Sequence, residues 1–141
     1  MRFAHVTSSD HARPRLVLVP GDDEAVFVDE LFPGAPATLQ ALVEGGDDLL
    51  AKVADAAADA PRHPLSPFGF ASAVLGPPAI LAVGLNYAAH SGELGLKTDA
   101  TPTVFVLWPN SLTGHDATTS WPRSLSESVD YEAELGVIIG R

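Results

Sequence analysis

Two short apolar runs, Met1–Thr7 and Arg15–Pro20, flank a polar segment, a pattern that predicts a β-hairpin. Pro20-Gly21-Asp22-Asp23 is a turn signal, and Ala25–Leu31 reads as a third strand. Beyond it the apolar period changes from two to about 3.6. Thr38, after Pro36-Ala37, is an N-cap candidate for a helix carrying Leu39, Leu42 and Val43 on one face. Gly45-Gly46 ends that helix, and Asp47-Asp48 caps a second one with Leu49, Leu50, Val53 and Ala57 on its inner face. Residues 51–60 are rich in Ala and Asp. From Pro61 to Pro78 the chain is punctuated by Pro61, Pro64, Pro67, Pro77 and Pro78. Proline fixes φ and removes a donor, so this connector is expected to be extended and irregular, with Phe68 and Phe70 packing on a flanking unit.

A second stretch begins at Ala79. Ala79–Leu85 reads as a buried strand, and Asn86–Glu93 as a short helix. Val104–Leu107 is a further strand and Pro109–Gly114 a loop. A segment rich in Thr and Ser then leads to Asp130–Ile139, the clearest strand pattern of the chain. The expected division is a small N-terminal domain over 1–73 and a second unit over 74–141.

Composition narrows the classes of partner. Eighteen acidic and eight basic residues give a net charge of −10, which repels phosphate and argues against nucleic acid and anionic membranes. There is no cysteine, which excludes disulfides, thiolate metal sites and cysteine nucleophiles. Charges break the N-terminal run, so it does not read as a signal peptide. The longest apolar run, Pro77–Leu85, falls short of the ~20 residues of a membrane helix. A cytoplasmic protein is the expectation.

Two constellations carry possible chemistry. Glu132 and Glu134 alternate with Tyr131, Ala133 and Leu135, so on a strand both carboxylates point the same way, roughly 6.6 Å apart. Two like charges on one face repel unless water or a cation lies between them. Oxygen ligands favour a hard ion, Mg²⁺, Mn²⁺ or Ca²⁺. The plainer alternative is a solvated strand face. His90 and Glu93 stand three apart on the short helix, where a carboxylate orients an imidazole and raises its basicity for general-base work. Here the plainer alternative is a surface ion pair. His5, His11 and His63 are isolated and read as packing or solvent residues. Trp108 and Trp121 read as core or interface anchors. No P-loop, GxGxxG, GxSxG or HExxH pattern is present.

The run Ile80-Leu81-Ala82-Val83-Gly84-Leu85-Asn86-Tyr87-Ala88-Ala89-His90-Ser91-Gly92-Glu93 resembles the opening of the catalytic domain of the fumarylacetoacetate hydrolase family: an apolar strand, Gly-x-Asn-Tyr, then His-x-x-Glu. Val129-Asp130-Tyr131-Glu132-Ala133-Glu134-Leu135-Gly136-Val137-Ile138-Ile139-Gly140 resembles the second signature of that family. Pro102-Thr103-Val104-Phe105 and Pro109-Asn110-Ser111-Leu112-Thr113-Gly114 are similar to its middle segment, in the same order. One position departs: where the family usually has a lysine two residues after the phenylalanine, this chain has Leu107.

The resemblance implies an α+β protein: a small N-terminal α/β domain followed by a truncated mixed β-roll. It implies Mg²⁺ or Mn²⁺ held by Glu132 and Glu134 with a later aspartate, and a His90–Glu93 dyad that activates water. It implies substrates that are 2-oxo acids or 1,3-dicarbonyl compounds, opened by C–C hydrolysis or decarboxylation, and a homo-oligomer. Substrate-binding residues are not implied. The chain ends at Arg141, ahead of the third ligand, so a truncated or naturally short form is expected. Two alternatives stand beside the hydrolase: a non-catalytic module that binds a partner through an open sheet edge, and an isomerase or hydratase of aromatic catabolism.

Overall fold

The computed structural model describes residues 1–93, 95 and 101–140, and for His90 its backbone alone. The chain divides into two compact units: Met1–Leu75 with Thr113–Arg141, and Gly76–Leu112. Both are built on antiparallel sheets, with helices, so the fold is mixed α and β. Among the described residues no helix is long and apolar enough to cross a membrane.

In the first unit the expected hairpin forms. Strand β1 (Phe3–Ser8) pairs with β2 (His11–Leu18) from Phe3↔Leu18 to Val6↔Arg15, with a register shift before Ser8↔His11 at the turn. The third strand, β3 (Glu24–Phe27), pairs Val17↔Phe27 and Leu18↔Val26. It is shorter than the pattern suggested, because Val28–Glu30 turns into a 3-10 helix. Arg15 accounts for that turn. Its guanidinium lies 3.9 Å from the Phe27 ring centre, donates from Nε to Asp29 at 2.9 Å and pairs with Glu30 at 2.7 Å.

The α1 helix (Leu39–Ala57) begins where expected: the Ala41 N–H donates to the Thr38 hydroxyl at 3.1 Å. It is two helices joined at a kink, with Gly46 at φ 72° and ψ −166°. That region, positive φ with ψ near 180°, is essentially confined to glycine, which explains glycine between the two helical patterns.

The proline-rich connector differs from expectation. It supplies β4 (His63–Pro64) and β5 (Gly69–Phe70), giving a five-stranded sheet of order β4-β3-β2-β1-β5. Proline is tolerated there because β4 is an edge strand. The two faces of the sheet bury different residues. Leu16, Leu18, Val26 and Val28 pack against Leu42, Val53 and Ala57 of α1. Val6, Val17, Ala25 and Phe27 meet Leu65, Phe68 and Phe70 of the connector. Phe68 stands edge-on to Phe27 with ring centres 5.6 Å apart.

His5 is not a passive packing residue. It is 1% exposed, and Leu39 N–H, at the start of α1, donates to its Nε2 at 3.3 Å. Nε2 must therefore accept, which leaves the proton on Nδ1, facing the carbonyls of Ser72 and Ala73 at 3.2 and 3.1 Å. Burial pushes the His5 pKa below its ordinary value, against the raising effect of the two carbonyls.

An unfolded histidine takes up a proton below pH ~6.5, whereas the buried one resists it. The stabilisation is thus complete above that value and is lost as pH falls below it. Urea unfolding at pH 7.5 and 5.5 should show lower stability at the acid value, and His5→Gln should reduce the difference. His5→Ala should cost about 1–3 kcal/mol at pH 7.5, because three backbone groups lose their partner.

Candidate functional site

The second unit is built on a two-stranded sheet. Its strands, β6 (Ile80–Gly84) and β7 (Thr103–Leu107), pair antiparallel from Ile80↔Leu107 to Gly84↔Thr103. The sequence suggested a buried strand over 79–85. Instead β6 is half-exposed and β7 exposed throughout, with Leu81, Val104 and Val106 in solvent. A two-stranded sheet has no second layer of its own to bury both faces.

Gly84 ends β6, and Leu85 then adopts φ 55°, left-handed for a leucine. The chain turns there into α2 (Ala88–Glu93). Ser91, 1% exposed, locks the turn: its backbone N–H donates to Tyr87 O at 3.1 Å and its hydroxyl to Leu85 O at 3.2 Å. Both candidate acid–base residues, His90 and Glu93, belong to α2. The Glu93 side chain is exposed; the pairing of His90 with Glu93 lies outside the described side chains. The strained Leu85 and the buried Ser91 had no signal in the pattern, because φ at a non-glycine residue is invisible in sequence.

Leu107, at the lysine position of the middle segment, closes β7 opposite Ile80 and is 40% exposed. Trp108 follows, 76% exposed, and caps a 3-10 turn at Pro109–Ser111. It is no core anchor.

Glu132 and Glu134 lie on the last part of the first unit. That segment begins with a close pass over β5: a Cβ on Gly114 would collide with the Phe70 carbonyl oxygen, and His115 stands edge-on to Phe70 with ring centres 5.7 Å apart. Residues 129–140 carry no strand, contrary to the pattern. Alternation makes a segment able to pair but does not supply a partner for its backbone, and Tyr131 is 88% exposed. Both glutamates are exposed. Among the described residues no three His, Asp or Glu side chains gather as a metal site. As donors the two carboxylates suit a hard cation; in number they do not complete its coordination.

Comparison with known proteins places these segments in a family context. The model of the fumarylacetoacetate (FAA) hydrolase C-terminal domain matches residues 79–141, taking in β6, α2, β7 and both glutamates. A homoprotocatechuate catabolism bifunctional isomerase/decarboxylase of Escherichia coli is 47% identical over 62 residues, 44% of this chain and 14% of the bacterial protein. A mitochondrial oxaloacetate tautomerase of Rattus norvegicus is 33% identical over 144 aligned positions, all of this chain and 45% of the rat protein. A human counterpart is 31% identical over the same share of each. The chain belongs to the fumarylacetoacetate hydrolase family. It spans less than half the length of the curated relatives it matches.

Two measurements check this description. Leu85→Val, β-branched at a positive φ, should speed amide exchange across residues 80–91, whereas Leu85→Gly should not. Mn²⁺ should bind with a dissociation constant of about 1 mM and broaden the signals of residues 130–136. Glu132→Ala/Glu134→Ala should abolish that broadening; equal broadening in both proteins would leave the glutamates as a solvated face.

Proposed function

We propose that this chain carries part of the machinery of a metal-assisted enzyme acting on 2-oxo acids or 1,3-dicarbonyl compounds. In this reading residues 1–73 are the small N-terminal domain and 74–141 the first part of a mixed β-roll. The observation that carries it is the family match over 79–141, which includes α2 and Glu132-Ala133-Glu134 together. The relatives named for oxaloacetate tautomerisation and for isomerisation with decarboxylation favour chemistry through an enol.

The residues divide the work as follows. Glu132 and Glu134 supply two anionic oxygen ligands for Mg²⁺ or Mn²⁺. Such an ion, when bound, polarises the substrate's oxo group and stabilises negative charge developing there. His90 acts as general base, taking a proton from the carbon beside the carbonyl or from the attacking water, and Glu93 orients its imidazole. In a tautomerisation that C–H proton is lost and the carbonyl oxygen gains one, with no net oxidation. Leu107 offers no donor to an oxyanion, so C–C cleavage is the weaker activity of this chain. The same proposal takes the protein as a cytoplasmic homo-oligomer with a small-molecule substrate, without nucleic-acid or membrane partners.

A second reading, a module that pairs with a partner strand, draws on the exposed apolar residues of β6 and β7. One assay separates the two. Decay of enol-oxaloacetate absorbance should be accelerated by the chain with Mg²⁺, suppressed by chelator, and reduced about 10²–10⁴-fold in His90→Ala. Hydrolysis of acylpyruvates should stay below ~1 s⁻¹, and Leu107→Lys should raise it. Enol decay indifferent to metal and to His90→Ala would sink the enzymatic reading and leave the strand-pairing one.

A further inference from the structure

Ser91 stands out within α2. Of the described side chains of that helix it alone is buried, at 1% exposure, while Ala88, Ala89 and Glu93 are exposed. A serine inside a helix often bonds back to the carbonyl four residues earlier. That carbonyl, on Tyr87, accepts the Ser91 backbone N–H at 3.1 Å. The hydroxyl reaches past it and donates to Leu85 O at 3.2 Å, outside the helix.

Leu85 is fixed from the other side. It follows Gly84, which closes the β6–β7 ladder opposite Thr103. Its φ of 55° is a conformation that a leucine keeps only where its surroundings over-determine it. The hydrogen bond thus ties a strand end to a helix with little order of its own. Isolated helices shorter than ~12–15 residues are marginal, α2 has six, and one of them, Gly92, is a poor helix former. The tie falls between the two acid–base candidates, directly after His90 and two residues before Glu93. Glu93 stands about 200° round the helix from Ser91. The side of α2 that is anchored and the side that carries Glu93 are therefore opposite.

We propose that Ser91 is a positioning residue: its hydroxyl fastens α2 to the end of β6 and so sets where the backbone of His90 and Glu93 stands. This role rests on the enzymatic reading of His90 and Glu93.

Two variants of the whole chain test it, each with two readouts. Ser91→Ala removes the hydroxyl; Ser91→Cys fills similar space with a weak donor. Both should speed amide exchange over residues 88–93 about tenfold, the worth of one hydrogen bond, and leave exchange over residues 3–18 unchanged. In the enol-oxaloacetate assay with Mg²⁺ both should lower kcat about tenfold and keep KM within about twofold, because a displaced base slows the chemical step without removing a metal ligand. Wild-type exchange in Ser91→Ala would overturn the proposal. So would wild-type exchange in Ser91→Cys, which would assign the effect to packing, and so would a loosened α2 with kcat unaltered. Wild-type enol decay indifferent to metal and to His90→Ala would bring down the enzymatic reading itself, and the role of Ser91 with it, whatever the exchange shows.

Discussion

The first unit turns on one buried imidazole. His5 sits on β1, receives the Leu39 N–H at the start of α1, and gives its Nδ1 proton to the carbonyls of Ser72 and Ala73. Its own carbonyl accepts from Ala71 N–H at 2.9 Å. Strand, helix and connector thus meet at a side chain that must be neutral to serve all of them. Buried polar groups are costly unless satisfied, and this one is satisfied only when three distant parts of the sequence are in register. The sheet-and-helix packing around it follows: α1 covers one face, and the connector the other.

The parts of the chain that match the family model are built differently. α2 has six residues, and the β6–β7 sheet beside it in sequence has two strands and exposed apolar positions. Glu132 and Glu134 lie on a segment with no ladder hydrogen bonds. What order exists at α2 comes from a local device, the strained Leu85 with its carbonyl held by the buried Ser91 hydroxyl. Strain of this kind persists only where neighbouring bonds over-determine it. In these segments the match to the family rests on residue identity more than on packing.

Charge follows a similar rule. The net −10 says which partners are repelled, but the local pairing of each cation decides what is attracted. Arg15 is consumed by Asp29 and Glu30 in holding the end of β3.

Some features were legible in the sequence. Short apolar runs marked β1, β2, β6 and β7; Thr38 marked the start of α1; and Gly45-Gly46 marked the break between its two helical halves, because only glycine enters the conformation found at Gly46 without strain. The motifs at 80–93 and 129–140 carried the family, since they are residue identities at fixed spacing and need no tertiary structure to be read. Other features depended on contacts between distant residues. The connector's prolines hid β4 and β5, because an edge strand depends on what lies beside it. The pattern at 130–139 promised a strand that does not form in the described structure, because a strand exists only where another backbone meets its donors and acceptors. His5 looked isolated because its partners, Leu39, Ser72 and Ala73, are near it only in space. Periodicity is a local property and was determined by the sequence; hydrogen-bond partners and the pairing of charges are not local, and the tertiary structure alone decided them.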